Sequence, residues 1–347
     1  MQKLITYSLA CMILLCISGA AAAQQQELIG AGATFPYPLY SKMFDVYSKE
    51  YGVKVNYQAI GSGGGIRQLI NKTVGFGGSD AIMSDEDIKA AGAPVLHVPT
   101  CAGSVVITYN LPGNPGISLT PDLVADIFLG KVTKWNDQRI IAINKAAKIP
   151  NMPITIVHRS DGSGTTNIFS DYMGKVSKEW KEKVGTGTSL NWPTGLGAKG
   201  NPGVAGLVAQ TPGSAGYVEL IYAIQNKMPY AAIRNKKGAF VRPTLQSTSA
   251  AMNVSLPDDM KVSLTDTDAP DGYPLAGLTW ILVYKEQAYQ GHSEAKAKEL
   301  VRLLRWMTHE GQKYAEPMQY APLSKRTVAK AEALIESITY NGKNILK

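Results

Sequence analysis

The sequence predicts an α/β protein whose chain forms two lobes around a cleft. Three observations carry that expectation. Short apolar strands alternate with amphipathic helices through both halves of the chain. Polar turns rich in glycine join strand to helix more than once. Two strongly apolar strands, at 105–109 and 278–284, read as a chain that crosses into a second lobe and later returns. The expected organisation is a discontinuous first lobe, residues 24–104 with 276–347, and a second lobe over 105–275.

The elements follow in order. Lys3, an apolar run over 4–19 and Ala21-Ala22-Ala23 predict a secretory signal peptide, residues 1–23, cut before Gln24. A membrane anchor is the alternative, but the run is at the short edge for a span and a small-residue cleavage site follows it. Leu15 stands before Cys16 where lipoprotein processing expects a small residue, and Cys11 lies too early for a full apolar region before it. The mature chain then keeps only Cys101 and can form no intramolecular disulfide. Lys3 is the one charged residue lost with the leader, which lowers the formal net charge from +8 to +7. That charge is spread thinly. There is no block of like charge and no arginine–aromatic array, which argues against nucleic acid and supports only a mild attraction for small anions.

Gly30 and Gly32 allow a tight turn, and Pro36 fits the first turn of a helix over 39–51 with Leu39, Tyr40, Met43, Phe44 and Tyr47 on its apolar face. Thr34 stands just ahead of that helix, where a hydroxyl either caps it or meets a ligand. Residues 54–60 alternate as a strand and end in Gly61-Ser62-Gly63-Gly64-Gly65, which leads into a helical stretch at 66–70 with Ser62 at the helix start. The strand at 74–78 ends in Ser79 and Asp80; Asp80 is either a turn residue or an acceptor at a strand's C-terminal end, where open α/β folds bind ligands. Ser84 and Asp87 read as a capping box. Thr120 and Pro121 start another helix. Residues 191–203 read as a loop; Gly195, Gly197 and Gly200 match a dinucleotide fingerprint in form only, without a preceding strand and with Pro202 close behind. A strand at 215–218, a helix at 219–225, a poorly periodic stretch at 227–271, and helices at 293–309 and 327–337 complete the chain.

The most informative stretch is His158-Arg-Ser-Asp-Gly-Ser-Gly-Thr-Thr166, between an apolar strand ending at Val157 and a helix expected from Asn167. Strand, glycine-bracketed turn and helix together aim backbone N–H groups and a helix N-terminus at an anion. Ser163, Gly164, Thr165 and Thr166 offer hydroxyl and backbone donors, and Arg159 offers a planar fork for phosphate or carboxylate oxygens. The alternative is a solvated turn in which Arg159 simply pairs with Asp161. The four histidines lack metal-ligand spacing, Gly162-Ser163-Gly164 is not a nucleophile elbow, and no Walker loop is present. The pattern supplies donors without a marked nucleophile.

Taken together these stretches resemble the phosphate-binding proteins of bacterial high-affinity phosphate ABC transporters. The resemblance lies in Gly30-Ala-Gly-Ala-Thr-Phe-Pro36, Val55-Asn-Tyr-Gln58 with Gly61-Ser62, and Phe76-Gly-Gly-Ser-Asp80. It continues through Leu129-Gly-Lys-Val-Thr-Lys-Trp135, Arg159-Ser-Asp-Gly-Ser-Gly-Thr165, Gly185-Thr-Gly187, Trp192-Pro-Thr-Gly-Leu-Gly197 and Pro212-Gly-Ser-Ala-Gly-Tyr-Val-Glu219. It implies a two-lobed periplasmic binding protein, type II-like, with crossover strands as the hinge and the ligand in the interlobe cleft. Position by position it implies phosphate contacts at Thr34, Phe35 (through its backbone N–H), Ser62, Asp80, Arg159, Ser163, Gly164 and Thr165, with Asp161 orienting Arg159. Gly63 stands where a second serine is common, and His158 where an arginine is common. It further implies no catalysis, no cofactor or metal, a monomer in the periplasm, and an inner-membrane ABC permease of two transmembrane subunits with ATPase subunits as partner.

An ionised Asp80 beside an anion makes sense if the ligand still carries a proton. Phosphate near neutral pH can donate to it; sulfate has nothing to donate. A site built on such a bond can reject the analogue by about 10⁴-fold. The competing readings are an exported phosphatase or phosphotransferase using the same cradle, and a binder of another tetrahedral oxyanion.

Overall fold

A computed structural model describes residues 27–346. The expected signal segment, its cleavage before Gln24 and Cys16 lie outside the described residues. In chain order the strands are β1 (Glu27–Gly32), β2 (Lys54–Ala59), β3 (Phe76–Ser79), β4 (Val95–Tyr109), β5 (Ser118–Leu119), β6 (Thr155–Arg159), β7 (Leu196–Ala198), β8 (Ser214–Glu219), β9 (Ala232–Arg234), β10 (Phe240–Val241), β11 (Ala276–Tyr284), β12 (Thr339–Tyr340) and β13 (Lys343–Asn344). The helices are α1 (Tyr37–Tyr51), α2 (Ser62–Ile70), α3 (Asp85–Ala91), α4 (Pro121–Phe128), α5 (Gln138–Ile143), α6 (Gly164–Val176), α7 (Lys178–Lys183), α8 (Gly200–Gln210), α9 (Leu220–Gln225), α10 (Leu245–Ala251), α11 (Glu294–Thr308) and α12 (Lys325–Glu336).

Strand β4 ties the molecule together. Val95 to Ser104 pair antiparallel with β11, and Val105 to Tyr109 pair antiparallel with β8. The connected sheet therefore runs β2-β1-β3-β11-β4-β8-β6-β7, with β11 inserted beside β4 and most other neighbours parallel. Helices cover its faces. This is the two-lobed α/β arrangement the sequence predicts. Every residue of β11 is buried, as are nearly all of β4, so β11 and the second half of β4 read as largely apolar runs rather than alternating ones.

β4 begins ten residues earlier than the expected strand at 105–109. Its first half contains Pro99, Ala102 and Gly103, which read poorly as strand. Pro99 lacks an N–H for the ladder, and the register with β11 slips there, with Trp280 opposite Pro99 and Thr279 opposite Cys101. A bulge accommodates the proline.

Helix α1 buries the five residues expected of it, and a Gly52 in the left-handed region ends it. At roughly 1.5–3 kcal/mol for each large side chain fully buried, that face fixes the helix to Tyr57 of β2 and Phe76 of β3. Helix α2 begins at Ser62, as expected, and α6 begins earlier than expected, at Gly164, so the glycine-rich turns supply their first turns. Helix α8 replaces part of the loop expected over 191–203. Pro202 sits in its first turn, where a missing N–H costs nothing. The stretch at 227–271 holds β9, β10 and α10; beyond them Leu256, Met260 and Leu264 pack in a core cluster with Ile66, Leu278 and Trp280. No helix among the described residues is long and apolar enough to cross a membrane.

Candidate functional site

The site lies where the C-terminal ends of β1, β3 and β6 meet the N-termini of α2 and α6. Arg159 ends β6 with its guanidinium almost wholly buried. Its Nε donates to Asp161 Oδ1 at 2.7 Å and its Nη2 to Asp161 Oδ2 at 2.6 Å, a two-pronged pair that fixes the plane of the fork. Nη1 reaches Thr165 Oγ1 at 3.4 Å. Burial alone would raise the Asp161 carboxyl, but the bonds and charge of Arg159, with the Gly200 N–H at 2.9 Å, hold it below the usual carboxylate range. The turn reading, in which Arg159 pairs with Asp161, is thus correct as a contact; Arg159 is buried in the cleft and Asp161 partly so, rather than solvated.

Helix α6 aims its N-terminus at this point. Ser163 is its N-cap, its Oγ accepting from Thr166 N at 3.0 Å. With that lone pair used, the Ser163 hydroxyl hydrogen remains free to donate. Gly164 N donates to Ser62 Oγ, at the start of α2, at 3.1 Å. Gly63 N donates to Gly162 O at 3.0 Å. These bonds join turns expected in different lobes, so the cleft is closed here. A Cβ on Gly164 would stand 2.4 Å from Ser62 Oγ and 2.5 Å from Asp80 Oδ2, so only glycine fits. A Cβ on Gly63 would stand 3.2 Å from Gly162 Cα, a tight contact that a shift of a few tenths of an ångström in the facing turn would relieve.

Asp80 follows β3 and is 2% exposed. Thr279 Oγ1 on β11 donates to its Oδ1 at 2.8 Å, and the Asp80 N–H donates to Ser62 Oγ at 3.2 Å. Burial pushes the Asp80 carboxyl up to about 7, against the opposing pull of the Thr279 hydroxyl, the Arg159 charge and the Ser62 hydroxyl. Asp80 is therefore poised between accepting and donating a proton near neutral pH.

Thr34 does not cap α1, whose N-cap is Pro36 without a side-chain bond. Instead Thr34 Oγ1 accepts from the backbone and side chain of Asn201, at 3.1 and 2.9 Å. The carbonyls of Thr34 and Phe35 accept from Tyr222 and Tyr320, each at 2.6 Å. The Phe35 ring is fully buried and packs on Tyr320. Two buried tyrosines thus hold the 34–35 backbone from behind.

Direct hydrogen bonds join Arg159 with Asp161 and Thr165, and Ser62 with Gly164 and Asp80; Thr34 reaches Thr165 through Asn201, while Ser163 caps α6 and Phe35 follows Thr34 in the chain. Sequence reasoning missed three that position them. Tyr217 accepts from Arg159 N and bonds the Thr166 hydroxyl, joining β6 to α6. Thr279 was readable as the one aliphatic hydroxyl in an otherwise largely apolar buried strand. Asn201 was hidden in the glycine-rich stretch, where Pro202 as a first-turn residue was the available signal. His158 stacks on Trp192 with ring centroids 4.5 Å apart, and burial lowers its pKa, so it adds no charge at neutral pH.

A groove of about 470 Å³ beside α11 holds Lys298, Arg302, Arg305 and Trp306. Its cations are paired with Glu294, Glu299 and Glu332, so they do not converge on a ligand. No group of three or more potential metal ligands occurs among the described residues.

A family described as a PBP superfamily domain matches residues 18–310. The chain is 44% identical over 319 residues to the phosphate-binding protein PstS of Xylella fastidiosa strain Temecula1, covering 90% of this chain and 86% of that protein. It is 42% identical over 321 residues to the PstS of Pasteurella multocida, covering 90% and 91%. Among solved structures, a high-affinity periplasmic phosphate-binding protein bound with phosphate aligns at a TM-score of 0.73 with 20% identity, over 89% of this chain and 93% of that one. An ABC-type phosphate transport receptor from Vibrio cholerae aligns at 0.56 with 17% identity, over 85% and 100%. At those identities the structural likeness is one of fold.

Proposed function

The chain belongs to the family of phosphate-binding proteins within the PBP superfamily, and from that membership we propose that it captures inorganic phosphate between its lobes and hands it on, without catalysis, to a membrane permease. One observation carries the reading: a buried, fully oriented Arg159 and the N-terminus of α6 lie in one hydrogen-bonded cluster with Asp80 and the hydroxyls of Ser62 and Thr165. Such a set neutralises an oxyanion and satisfies its oxygens at low dielectric. Asp80 adds the one acceptor, and a tetrahedral anion that keeps a proton is the ligand that suits it.

In this proposal Thr34, Ser62, Ser163 and Thr165 donate through their hydroxyls. Phe35 and Gly164 donate through backbone N–H groups, the latter exchanging its bond to Ser62 Oγ for one to the anion, and Arg159 supplies the charge under the orientation of Asp161. Asp80 takes or gives the shared proton. Residues 24–104 with 276–347 and residues 105–275 are the moving lobes, turning about β4 and β11. The protein works as a monomer in the periplasm after loss of residues 1–23, with an ABC permease of two transmembrane subunits and its ATPase subunits as partner. The names of the relatives and the sequence of the leader support that setting.

The test is calorimetric titration of phosphate into the 24–347 chain, unfolded and refolded beforehand to strip bound ligand, with sulfate beside it. Tight one-to-one phosphate binding with sulfate silent is expected. No heat with either anion from folded protein would refute the proposal. Intact mass of the exported protein should begin at Gln24 without lipid.

A further inference from the structure

A buried carboxamide that is not among the expected anion contacts carries an inference about how the site selects its ligand. Asn201, the second residue of α8, is completely buried. Its Oδ1 accepts from the backbone N–H of Glu219, at the end of β8, at 2.9 Å. A backbone N–H can only donate, so the oxygen of the amide must face Glu219 and the nitrogen must face the other way. There Nδ2 donates to Thr34 Oγ1 at 2.9 Å and to Thr165 Oγ1 at 3.0 Å. The Asn201 backbone N–H is a second donor to Thr34 Oγ1, and Arg159 Nη1 is a second donor to Thr165 Oγ1 at 3.4 Å.

Each threonine oxygen thus accepts two bonds from groups that cannot accept one in return. A hydroxyl has two lone pairs and one hydrogen. With both lone pairs occupied, only the O–H hydrogen is left to offer. We propose that Asn201 is a positioning residue that sets the polarity of the Thr34 and Thr165 hydroxyls, turning two groups able to donate or accept into obligate donors toward the anion. The inference rests on the phosphate-site reading above and deepens it. Without Asn201 each hydroxyl is free to rotate and present a lone pair to the cleft, where it repels an oxyanion.

The amide also links the two threonines across the cleft, and a simple latch would do the same. The two roles part on Asn201→Asp. An aspartate keeps the shape and the Glu219 bond and still links the threonines, but it does so by accepting their hydroxyl hydrogens and turning them away from the ligand. A charge penalty on the anion is expected as well, and a Thr34→Val/Thr165→Val background isolates it, since no hydroxyl remains there to be turned. Phosphate affinity is measured calorimetrically for the 24–347 chain and its Asn201→Asp and Asn201→Ala variants, in both backgrounds. Thermal melts identify folded samples, and the isosteric aspartate carries the comparison if the alanine variant does not fold.

Asn201→Ala should weaken phosphate binding about tenfold in the natural background, as expected for two misdirected hydrogen bonds, and less than about twofold where the hydroxyls are absent. Asn201→Asp should cost at least about tenfold more in the natural background than in the valine background. Equal cost in the two backgrounds, with the unmodified chain binding phosphate, would overturn this inference alone. No phosphate binding by the unmodified chain would overturn it together with the reading it rests on.

Discussion

Arg159 and Asp161 are two residues apart, and the intervening turn lets the carboxylate meet the guanidinium edge-on. The guanidinium is buried and the carboxylate partly so, so removing one member leaves the other without its compensation. Arg159→Ala also removes the charge that faces the ligand and should weaken phosphate binding by about 2–5 kcal/mol. A dissociation constant unchanged in calorimetry would reduce the arginine to a brace for its turn. Asp80 gives a second prediction, with a sign set by its raised pKa of about 7. At pH 8 the carboxylate is mostly ionised and faces sulfate without a hydrogen between them; as pH falls through 7 it gains a proton and can donate. Sulfate binding should therefore strengthen between pH 8 and pH 6, and discrimination against it should narrow. Asp80→Asn, whose amide donates at every pH, should bind sulfate with no such dependence. Sulfate affinity that stays flat with pH in the natural protein would remove Asp80 from the role. The identities of both residues were legible in short motifs. Their electrostatics were not, because the burial of Asp80 and its bond to Thr279 depend on a strand about 200 residues away.

At the scale of elements, the N-terminus of α6 carries the most function in the least sequence. Its first turn is Gly164-Thr-Thr-Asn167, a poor helical signature by propensity, and the apolar face appears only from Ile168 onward. The expected start at Asn167 is late for that reason. The same effect hid α8, whose first turn holds Gly200, Asn201, Pro202 and Gly203. Site helices here begin with residues chosen for close approach and donors, and such residues read as loop. Gly164→Ala tests this. Alanine favours the helix, but its Cβ would strike Ser62 and Asp80 across the cleft. Overpacking of that kind costs about 1–3 kcal/mol, equivalent to roughly 5–150-fold in affinity. The clash exists only where the two turns meet, so thermal stability without ligand should hold or rise while phosphate affinity falls. Equal losses in both would place the glycine's role in the fold of α6 itself.

At the scale of the molecule, β4 and β11 form one antiparallel ladder, and β4 alone continues into pairing with β8. Its apolar second half and the apolar return strand made the crossing legible in the sequence. The chain between α10 and β11 was not, because it is held by scattered anchors rather than by a period. Met260 O accepts from Trp280 Nε1 at 3.0 Å, and Lys175 on α6 donates to Thr265 O at 3.1 Å. That segment touches both sides of the cleft. A few bonds at the site join the same sides, namely Gly63 to Gly162, Gly164 to Ser62 and Asn201 to Thr34. An anion bound among these groups favours the closed arrangement by its differential contacts with it. Small-angle scattering of the 24–347 chain should then show a smaller radius of gyration with phosphate than after its removal. Sulfate at pH 8 should leave the larger value unchanged, and Gly164→Ala should stay expanded at phosphate concentrations that close the natural protein. A single radius under all these conditions would mean that the lobes are fixed, and that phosphate enters a preformed pocket by local movement of the turns alone.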